Sequence, residues 1–292
     1  MRASFKFFIL FTSFFFSFFF SFFLFFGSAL GLQPASPASP ANFTIPNYTA
    51  TYSISAYGLS LGQSTQSFKI FNKNYIFSID TQASALFYSD SMVQTSQGFL
   101  NLTNQNNFLI PEKFNSHRDR KNQNESIIFD WNKNTAHSET SRVNNKNFSQ
   151  EDQDINLSPG VGDVLSIQMD LRAALFNYFK NLDINNIKNL NNLSFKFTLI
   201  KSNKLQVYNF KILGLEKLKL KNNLTPDSAA LSTLKIERLS SADGSKIDFY
   251  WLAPSYNYLL VQSEQAEKNL QNPKAPLNIT VILSLEKYTP DF

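Results

Sequence analysis

Residues 58–62 (GLSLG) match the G-x-S-x-G pattern that surrounds the nucleophilic serine of many hydrolases. In those enzymes the serine lies on a strained turn between a strand and a helix, where its hydroxyl is exposed. Here both flanks of Ser60 alternate as strands do, which places Ser60 at or just after a hairpin turn. We therefore interpret the motif as a turn, and a hydrolase that uses Ser60 stays as the alternative.

The two histidines, His117 and His137, are the natural candidates for binding a metal ion. Together with Glu139 or Asp119 they would form a site contributed by two strands. Zinc sites, however, usually need three or four well-placed ligands, and arginines flank Asp119 on both sides. We expect solvated histidines, with no metal and no cofactor.

Asp130 and Asp163 are the candidates for a pair of catalytic carboxylates. Glycoside hydrolysis needs two such groups about 5–10 Å apart across a cleft, a distance that positions along a chain do not determine. Asp163 follows a glycine-containing break and precedes a helical pattern, so its carboxylate is expected to cap that helix. We predict no catalytic residue here and keep a hydrolase based on this pair as an alternative.

Charge and cysteine content exclude several functions. The 292 residues carry 27 Lys and Arg against 22 Asp and Glu, and without Arg2 and Lys6 the excess falls to +3. That excess is too small and too scattered for nucleic-acid binding, which needs a basic stripe or patch. Because cysteine is absent, disulfides, thiol catalysis, cysteine metal sites and a lipid-modified cysteine are excluded.

Residues 1–31 have the pattern of a targeting segment. Two basic residues come first, residues 7–26 are dominated by Phe, and residues 27–31 are rich in small side chains. Signal peptides have an apolar region of about 7–15 residues, whereas this run is long enough to span a bilayer. We predict a cleaved signal peptide, with an N-terminal membrane anchor as the alternative, and a periplasmic body in either case. Residues 32–42 form a Pro/Ala/Ser linker.

Alternating apolar and polar residues predict strands along most of the remaining chain. Residues 144–156 are polar without a period and are expected to form a mobile loop. Asp243-Gly244 is a strong two-residue hairpin signal. The predicted strands cover residues 48–57, 59–71, 75–83, 86–102, 108–117, 126–131, 136–142, 193–200, 205–213, 214–220, 229–239, the hairpin at 247–262, and 277–285.

One helix interrupts this series, at about residues 163–179, where apolar residues recur at three- and four-residue spacing. About a dozen strands and one principal helix predict a mainly β protein. The expected architecture is a single curved antiparallel sheet or partly open barrel, with the helix packed on it. Residues 43–292 are predicted to form one domain.

Aromatic residues are numerous, and packing within the sheet explains most of them. A curved sheet half-covered by a helix also leaves an apolar groove suited to a lipid-like ligand. The residues predicted to line that groove are Trp131, Trp251, Tyr258 and Tyr52.

A series of short motifs follows the targeting segment: YGLSLG (57–62), LFYSD (86–90), PEKF (111–114), FDW (129–131), DVLS (163–166), GLE (214–216), WLAP (251–254) and YL (258–259). Their order and spacing resemble the bacterial family called domain of unknown function 3108, over essentially the whole chain beyond the targeting segment. The resemblance implies a small periplasmic or secreted β protein. It implies no catalytic residue, because that family has no established activity.

These observations favour a non-enzymatic binding protein of the cell envelope, whose concave face holds an apolar, lipid-like ligand or an envelope protein. One alternative is an envelope hydrolase. Another is a structural module that binds a partner protein and is tethered to the inner membrane by an uncleaved N-terminal helix. No contact with nucleic acid is expected, and contact with the membrane is expected only through that N-terminal segment.

Overall fold

The computed structural model describes residues 43–85, 88–101, 108–120, 122–144, 147–182, 184, 190–220, 224, 230–239, 245–267 and 278–291. Within them, fifteen strands and one α-helix are present. They are β1 (Asn47–Ala56), β2 (Leu59–Phe71), β3 (Asn74–Ala85), β4 (Tyr88–Leu100), β5 (Leu109–Arg118), β6 (Gln123–Asp130), β7 (Thr135–Asn144), β8 (Asn147–Asn156), β9 (Val161–Gly162), α1 (Ser166–Phe179), β10 (Ser194–Lys201), β11 (Lys204–Leu218), β12 (Leu231–Leu239), β13 (Lys246–Ala253), β14 (Leu259–Glu267) and β15 (Asn278–Asp291).

All described strands belong to one open sheet, in the order β8-β7-β6-β5-β4-β3-β2-β1-β15-β14-β13-β12-β11-β10-β9. The chain runs outward from β1 to the edge strand β8, crosses to the opposite edge at β9, and returns to β15, which pairs with β1. Neighbours are antiparallel except for the short parallel pair β9–β10. This confirms the predicted single antiparallel sheet with one principal helix, with fifteen strands where about a dozen were expected.

The first and last strands therefore meet at the centre of the sheet. Every second residue of β1 is buried, and Tyr48, Ala50 and Tyr52 are each at most 1% exposed. These side chains lie in the main apolar cluster with residues of the neighbouring strands and of α1, so the inward face of β1 is covered and its alternation is regular.

The structure corrects two details of the predicted elements. Residues 147–156, expected to form a mobile loop, are the edge strand β8, paired with β7 along their whole length. Backbone hydrogen bonds to β7 hold this strand in place. Of its residues whose side chains are described, only Ile155 is buried, so the strand has no alternating apolar pattern. The two strands predicted on either side of residue 213 are one strand, β11, with an irregular register at Gly214.

Several predictions fall on residues outside the described ranges: the targeting segment, the linker and the Asp243-Gly244 turn. Among the described residues, no helix has both the length and the apolar composition that crossing a membrane requires.

The helix α1 begins three residues after Asp163, whose side chain caps it as predicted. One carboxylate oxygen of Asp163 accepts hydrogen bonds from the amides of Leu165 and Ser166, at 2.8 and 2.9 Å. The Ser166 hydroxyl lies 2.8 Å from the Asp163 amide in return. These bonds satisfy amides that lack partners at the start of a helix.

A second carboxylate ties α1 to the other half of the sheet. Asp170, in the middle of the helix, accepts hydrogen bonds from the amides of Phe108 and Leu109 at 2.7 and 2.9 Å. Further along, Leu171 and Leu175 pack with Ile212 in an apolar cluster formed with β10–β13. The helix thus spans the concave face and contacts strands from both halves of the sheet.

Candidate functional site

A cavity of about 310 Å³ lies inside the curved sheet, beneath α1. Its lining residues come from both halves of the sheet and from the helix. Its volume is at the lower end of the range for small-molecule sites, about 300–1,000 Å³. The cavity is therefore large enough to hold a small ligand.

One wall of the cavity is apolar. It is built by the inward face of α1 and by β13–β15, and its members include Leu165, Ile167, Leu171, Leu252, Leu260 and Leu283. Most of these side chains also belong to, or pack against, the apolar clusters beneath the helix. A hydrocarbon chain placed along this wall would leave water for an apolar surface, which is favourable.

The opposite wall is polar. Directly paired residues of antiparallel strands share a face, and the pairs Ser64–Thr81 and Ser116–Glu125 both face the cavity. The Ser64 and Thr81 hydroxyls are 2.8 Å apart. Hydroxyl, amide and charged groups therefore predominate across β2–β6, where Gln66, Gln94, Arg118 and Gln123 also line the cavity. Ile79 and Met92 are the apolar members of this wall.

A charged cluster lies where β11–β13 reach the cavity. Arg238 forms an ion pair with Asp248, and its guanidinium carbon is 4.1 Å from the centre of the Tyr208 ring. Burial acts to raise the pKa of Tyr208, but the positive charges of Lys201 and Arg238 outweigh it and lower that pKa. The Tyr250 hydroxyl is 3.3 Å from the same Asp248 oxygen.

Arg172 of α1 also lines the cavity and is 4% exposed. Its Nε donates to the Asn257 carbonyl at 2.9 Å, Nη2 to the Tyr256 carbonyl at 3.4 Å, and Nη1 to the Tyr48 hydroxyl at 3.2 Å. Burial raises the pKa of Tyr48 to about 12, although Arg172 opposes this rise. Tyr48 is therefore a neutral hydroxyl at neutral pH.

The turn between β10 and β11 joins the two ends of the open sheet without strand pairing. Asn203 donates to the Thr140 hydroxyl at 2.7 Å and to the Glu151 carbonyl at 3.0 Å, and it accepts from Ser138 at 2.8 Å. The amide of Ser202 also donates to Glu125. Both turn residues have positive φ, 46° and 60°, as a two-residue hairpin of this kind requires. We call Ser202 and Asn203, with these partners, the latch.

The four aromatic residues predicted to line a groove lie in different places. Tyr258 lines the cavity. Tyr52 is fully buried and donates to the Leu260 carbonyl at 2.9 Å. Trp131 stacks on Phe129 just beyond β6 and donates to the Pro111 carbonyl at 2.7 Å.

Trp251, the fourth, faces away from the cavity. It lies between Tyr250 and Leu252, which both line the cavity, so strand alternation places it on the other face of β13. There its indole donates to Glu216 at 2.8 Å, and the Lys235 ammonium lies 4.6 Å from the centre of its ring.

The G-x-S-x-G sequence has a structural explanation at both glycines. Gly58 has φ of 77° in the turn between β1 and β2. At Gly62 a Cβ atom would lie 2.0 Å from the carbonyl oxygen of Gln82 on β3, so only glycine fits. Ser60 itself is exposed on β2, paired with Ser55 of β1, and no helix follows it.

The candidate acids and histidines are separately engaged. Asp163 accepts from Ser96 at 2.6 Å as well as capping α1, and Asp130 pairs with Lys133 at 2.9 Å. His137 contacts Asp154 at 2.9 Å. The described residues contain no group of three or more His, Cys, Asp or Glu side chains placed to hold a metal ion.

His117 belongs to an exposed series of hydrogen-bonded side chains, in which Asp119 contacts both His117 and Ser91. The distance from His117 Nε2 to an Asp119 oxygen is 2.8 Å, and the Ser91 hydroxyl bonds to the other oxygen. In a serine hydrolase the histidine must instead contact the serine, to remove its proton. This order of contacts does not activate Ser91.

Sequence reasoning missed Arg172, Tyr48 and the polar wall. The sequence did contain a signal for Arg172, because it is the only charged residue between Leu171 and Phe179 in a largely apolar part of the helix. The polar wall had no such signal, because polar residues at alternate strand positions are normally expected to face water.

Comparison with protein families gives a match over most of the chain. A family model described as a protein of unknown function, DUF3108, matches residues 47–269, which include the cavity walls built by β1–β6, α1 and β10–β14. Comparisons with curated proteins and with solved structures find no match. Since the family model covers well over half of its residues, the chain belongs to the DUF3108 family.

Proposed function

We propose that this protein is a non-enzymatic binding protein that holds one amphiphilic, lipid-like molecule in the cavity beneath α1. The observation that carries this proposal is the division of the cavity into an apolar wall and a polar wall. Such a division matches a ligand with a hydrocarbon part and a polar part, whereas a uniformly apolar core would be filled by its own side chains.

The environments of the catalytic candidates favour binding over hydrolysis. Ser60 lies in a hairpin in which both neighbouring glycines are explained by the backbone conformation or by close packing, so the motif needs no catalytic explanation. The Asp163 carboxylate caps α1. Asp130 is partly exposed and pairs with a neighbouring lysine. An enzyme would need a nucleophile or acid directed at a bound substrate, with a partner that activates it.

The proposed place of action is the periplasm. This rests on the sequence of residues 1–31, with its basic start and long Phe-rich run. If that segment is not cleaved, it anchors the protein to the inner membrane, and the binding domain stands beyond the Pro/Ala/Ser linker. Cell fractionation of the full-length chain tests this, because a cytoplasmic protein would contradict it.

The binding proposal is tested by native mass spectrometry of the protein purified from envelope extract without detergent exchange. We expect an added mass of one lipid-like molecule on the wild type. Met92→Trp places a larger side chain in the cavity and should abolish the added mass. Val207→Trp is the matched control, because Val207 is 63% exposed on β11, and it should retain the ligand.

Circular dichroism must show that both variants fold, and adding a dodecyl-chain ligand to the ligand-free protein provides a second measurement. The proposal predicts saturable one-to-one binding to the wild type and the control. A bare protein mass in repeated preparations, with no binding of added dodecyl compounds, would overturn it. That result would favour the structural module. Crosslinking in the envelope would then identify its partner protein.

A further inference from the structure

Three arginines line the cavity, and two of them have a carboxylate partner. Arg118 donates through Nε to Asp90 at 2.6 Å, and both side chains are about 5% exposed or less. Arg238 pairs with Asp248. Each of these positive charges is therefore compensated by a negative charge of the protein itself.

Arg172 is different. Its contacts are two backbone carbonyls, the Tyr48 hydroxyl and the Met169 sulfur, and no carboxylate of the described residues lies within ion-pair distance. Carbonyl and hydroxyl oxygens accept its hydrogen bonds but carry no full negative charge. A buried cation without a counter-charge is unfavourable, which makes Arg172 a ready position for an anion.

The carboxylates of α1 are not available to Arg172. Asp163, just before the helix, caps it, and Asp170 accepts from the amides of Phe108 and Leu109 at the start of β5. At the other side of the cavity, Glu125 accepts from the Ser202 amide. Arg172 also lies among the apolar side chains of the helix wall, where the hydrocarbon part of a ligand would pack.

We propose that Arg172 is the anion-recognition group of the cavity, and that the ligand is an amphiphile with one negatively charged end group, a carboxylate or a phosphate. The end group binds the guanidinium beside the Tyr48 hydroxyl, and the hydrocarbon chain follows Leu252, Leu260 and Leu283. Four of the five N–H groups of Arg172 are used by the contacts above, so one Nη2 N–H remains to donate to either acid, and the positive charge of the guanidinium attracts both. This inference rests on the proposed function and adds the charge of the ligand.

The test is calorimetric titration of the ligand-free protein with three compounds of equal chain length: laurate, dodecyl phosphate and neutral monolaurin. We expect the wild type to bind at least one of the two acids ten times or more tightly than monolaurin. Comparing laurate with dodecyl phosphate decides which acid the site prefers.

Arg172→Gln should reduce the preference for the acid to about twofold or less, because it weakens the binding of the acids more than the binding of monolaurin. Arg172→Lys, which keeps the charge, should retain most of the preference. If Arg172→Gln does not fold, Arg172→Met replaces it, because methionine keeps the apolar stem and removes the buried charge.

Equal binding of acids and monolaurin to the wild type would overturn the inference and leave the proposed function standing. So would an equal loss of all three ligands in Arg172→Gln, since that result means Arg172 only holds α1 against the turn between β13 and β14. Absence of binding for all three compounds would overturn the proposed function itself.

Discussion

The two halves of the sheet obey the same local rule and yet contribute different surfaces to the cavity: mostly polar side chains from β2–β6, and leucines beside a charged cluster from β11–β15. Both are antiparallel meanders in which alternate residues point inward. At the cavity, β2–β6 contribute Ser64, Gln94 and Glu125, and only further along the same face do they become apolar, whereas the same face of β12–β14 carries Leu234, Leu252 and Leu260. The difference shows that alternation determines which residues share a face of the sheet. Whether that face is polar or apolar depends on what packs against it.

The helix accounts for the difference. It packs its apolar residues against β10–β13, which must therefore be apolar in order to exclude water. On the other half α1 also packs in an apolar cluster with Phe114 and Ile127. Where the cavity lies between α1 and β2–β6, the polar side chains keep partners among themselves, as the 2.8 Å contact between Ser64 and Thr81 illustrates. Four predictions test this comparison, from the largest expected effect to the smallest.

Ile212→Ala removes a fully buried side chain from the apolar half, where Ile212 packs beneath α1. We expect the free energy of unfolding to fall by about 2–5 kcal/mol, because a cavity remains in a close-packed cluster. Gln94→Ala is the counterpart in the polar half and should change it by about 0.5 kcal/mol or less. Urea unfolding followed by circular dichroism measures both, and equal losses would contradict the distinction between the halves.

Asn203→Ala breaks the latch that joins the ends of the two halves. It leaves the buried Ser138 hydroxyl without its acceptor, which costs about 1–3 kcal/mol, and it places alanine at a φ of 60°. Asn203→Gly removes the same hydrogen bonds but tolerates that φ, so it should be less destabilising.

Urea unfolding of both Asn203 variants separates the contribution of the hydrogen bonds to the free energy of unfolding from the contribution of backbone strain. We also expect faster ligand release from both, measured by stopped-flow displacement, because the turn lies beside Glu125 and Lys201 of the cavity. Unchanged stability in the glycine variant would show that the latch contributes nothing to folding.

Asp170→Asn tests the hydrogen bonds between α1 and the start of β5. Burial raises the pKa of Asp170 to about 7, although two amide hydrogen bonds oppose the rise. Between the ordinary pKa of 3.8 and this value the folded protein binds more protons than the unfolded chain. This group's contribution to stability is therefore present in full below the ordinary pKa and is lost as the pH rises towards 7.

The measurement is the difference in unfolding free energy between wild type and Asp170→Asn at several pH values, from about 4 to about 8. The wild type should lose stability relative to the variant as the pH rises. Other buried acids such as Asp163 and Glu125, whose pKa values burial also raises, remain in both proteins and cancel in the comparison. A difference independent of pH would contradict the prediction.

Trp251→Phe should have the smallest effect on ligand binding. Trp251 lies on the face of β13 opposite the cavity, so we expect dodecyl-ligand affinity to change by less than about twofold, a difference below about 0.5 kcal/mol. Stability falls modestly through the lost hydrogen bond to Glu216. Tyr258→Phe serves as the cavity-lining comparison, and a large loss of affinity in Trp251→Phe alone would reverse the assignment of faces.

Much of the fold was predictable because its signals are local. The strand from Leu59 to Phe71, the turn at Ser202 and Asn203, and the cap at Asp163 each depend on residues close together in the chain. The edge strand β8 was not predictable from alternation, because a solvated strand buries no face and needs no apolar period. Of the residues that line the cavity, Tyr258 was among those proposed from residue type, whereas Arg172 was not.

The sequence by itself determined that this chain forms strands, hairpins and one capped helix, since short-range periodicity and turn chemistry carry that information. Only the tertiary structure decided that β1 pairs with β15, that Gln94 and Glu125 face a cavity while Trp251 faces away, and that Arg172 lies buried without a carboxylate. The reason is physical: a strand pattern distinguishes two faces, but contacts between residues far apart in the chain decide which of them is enclosed.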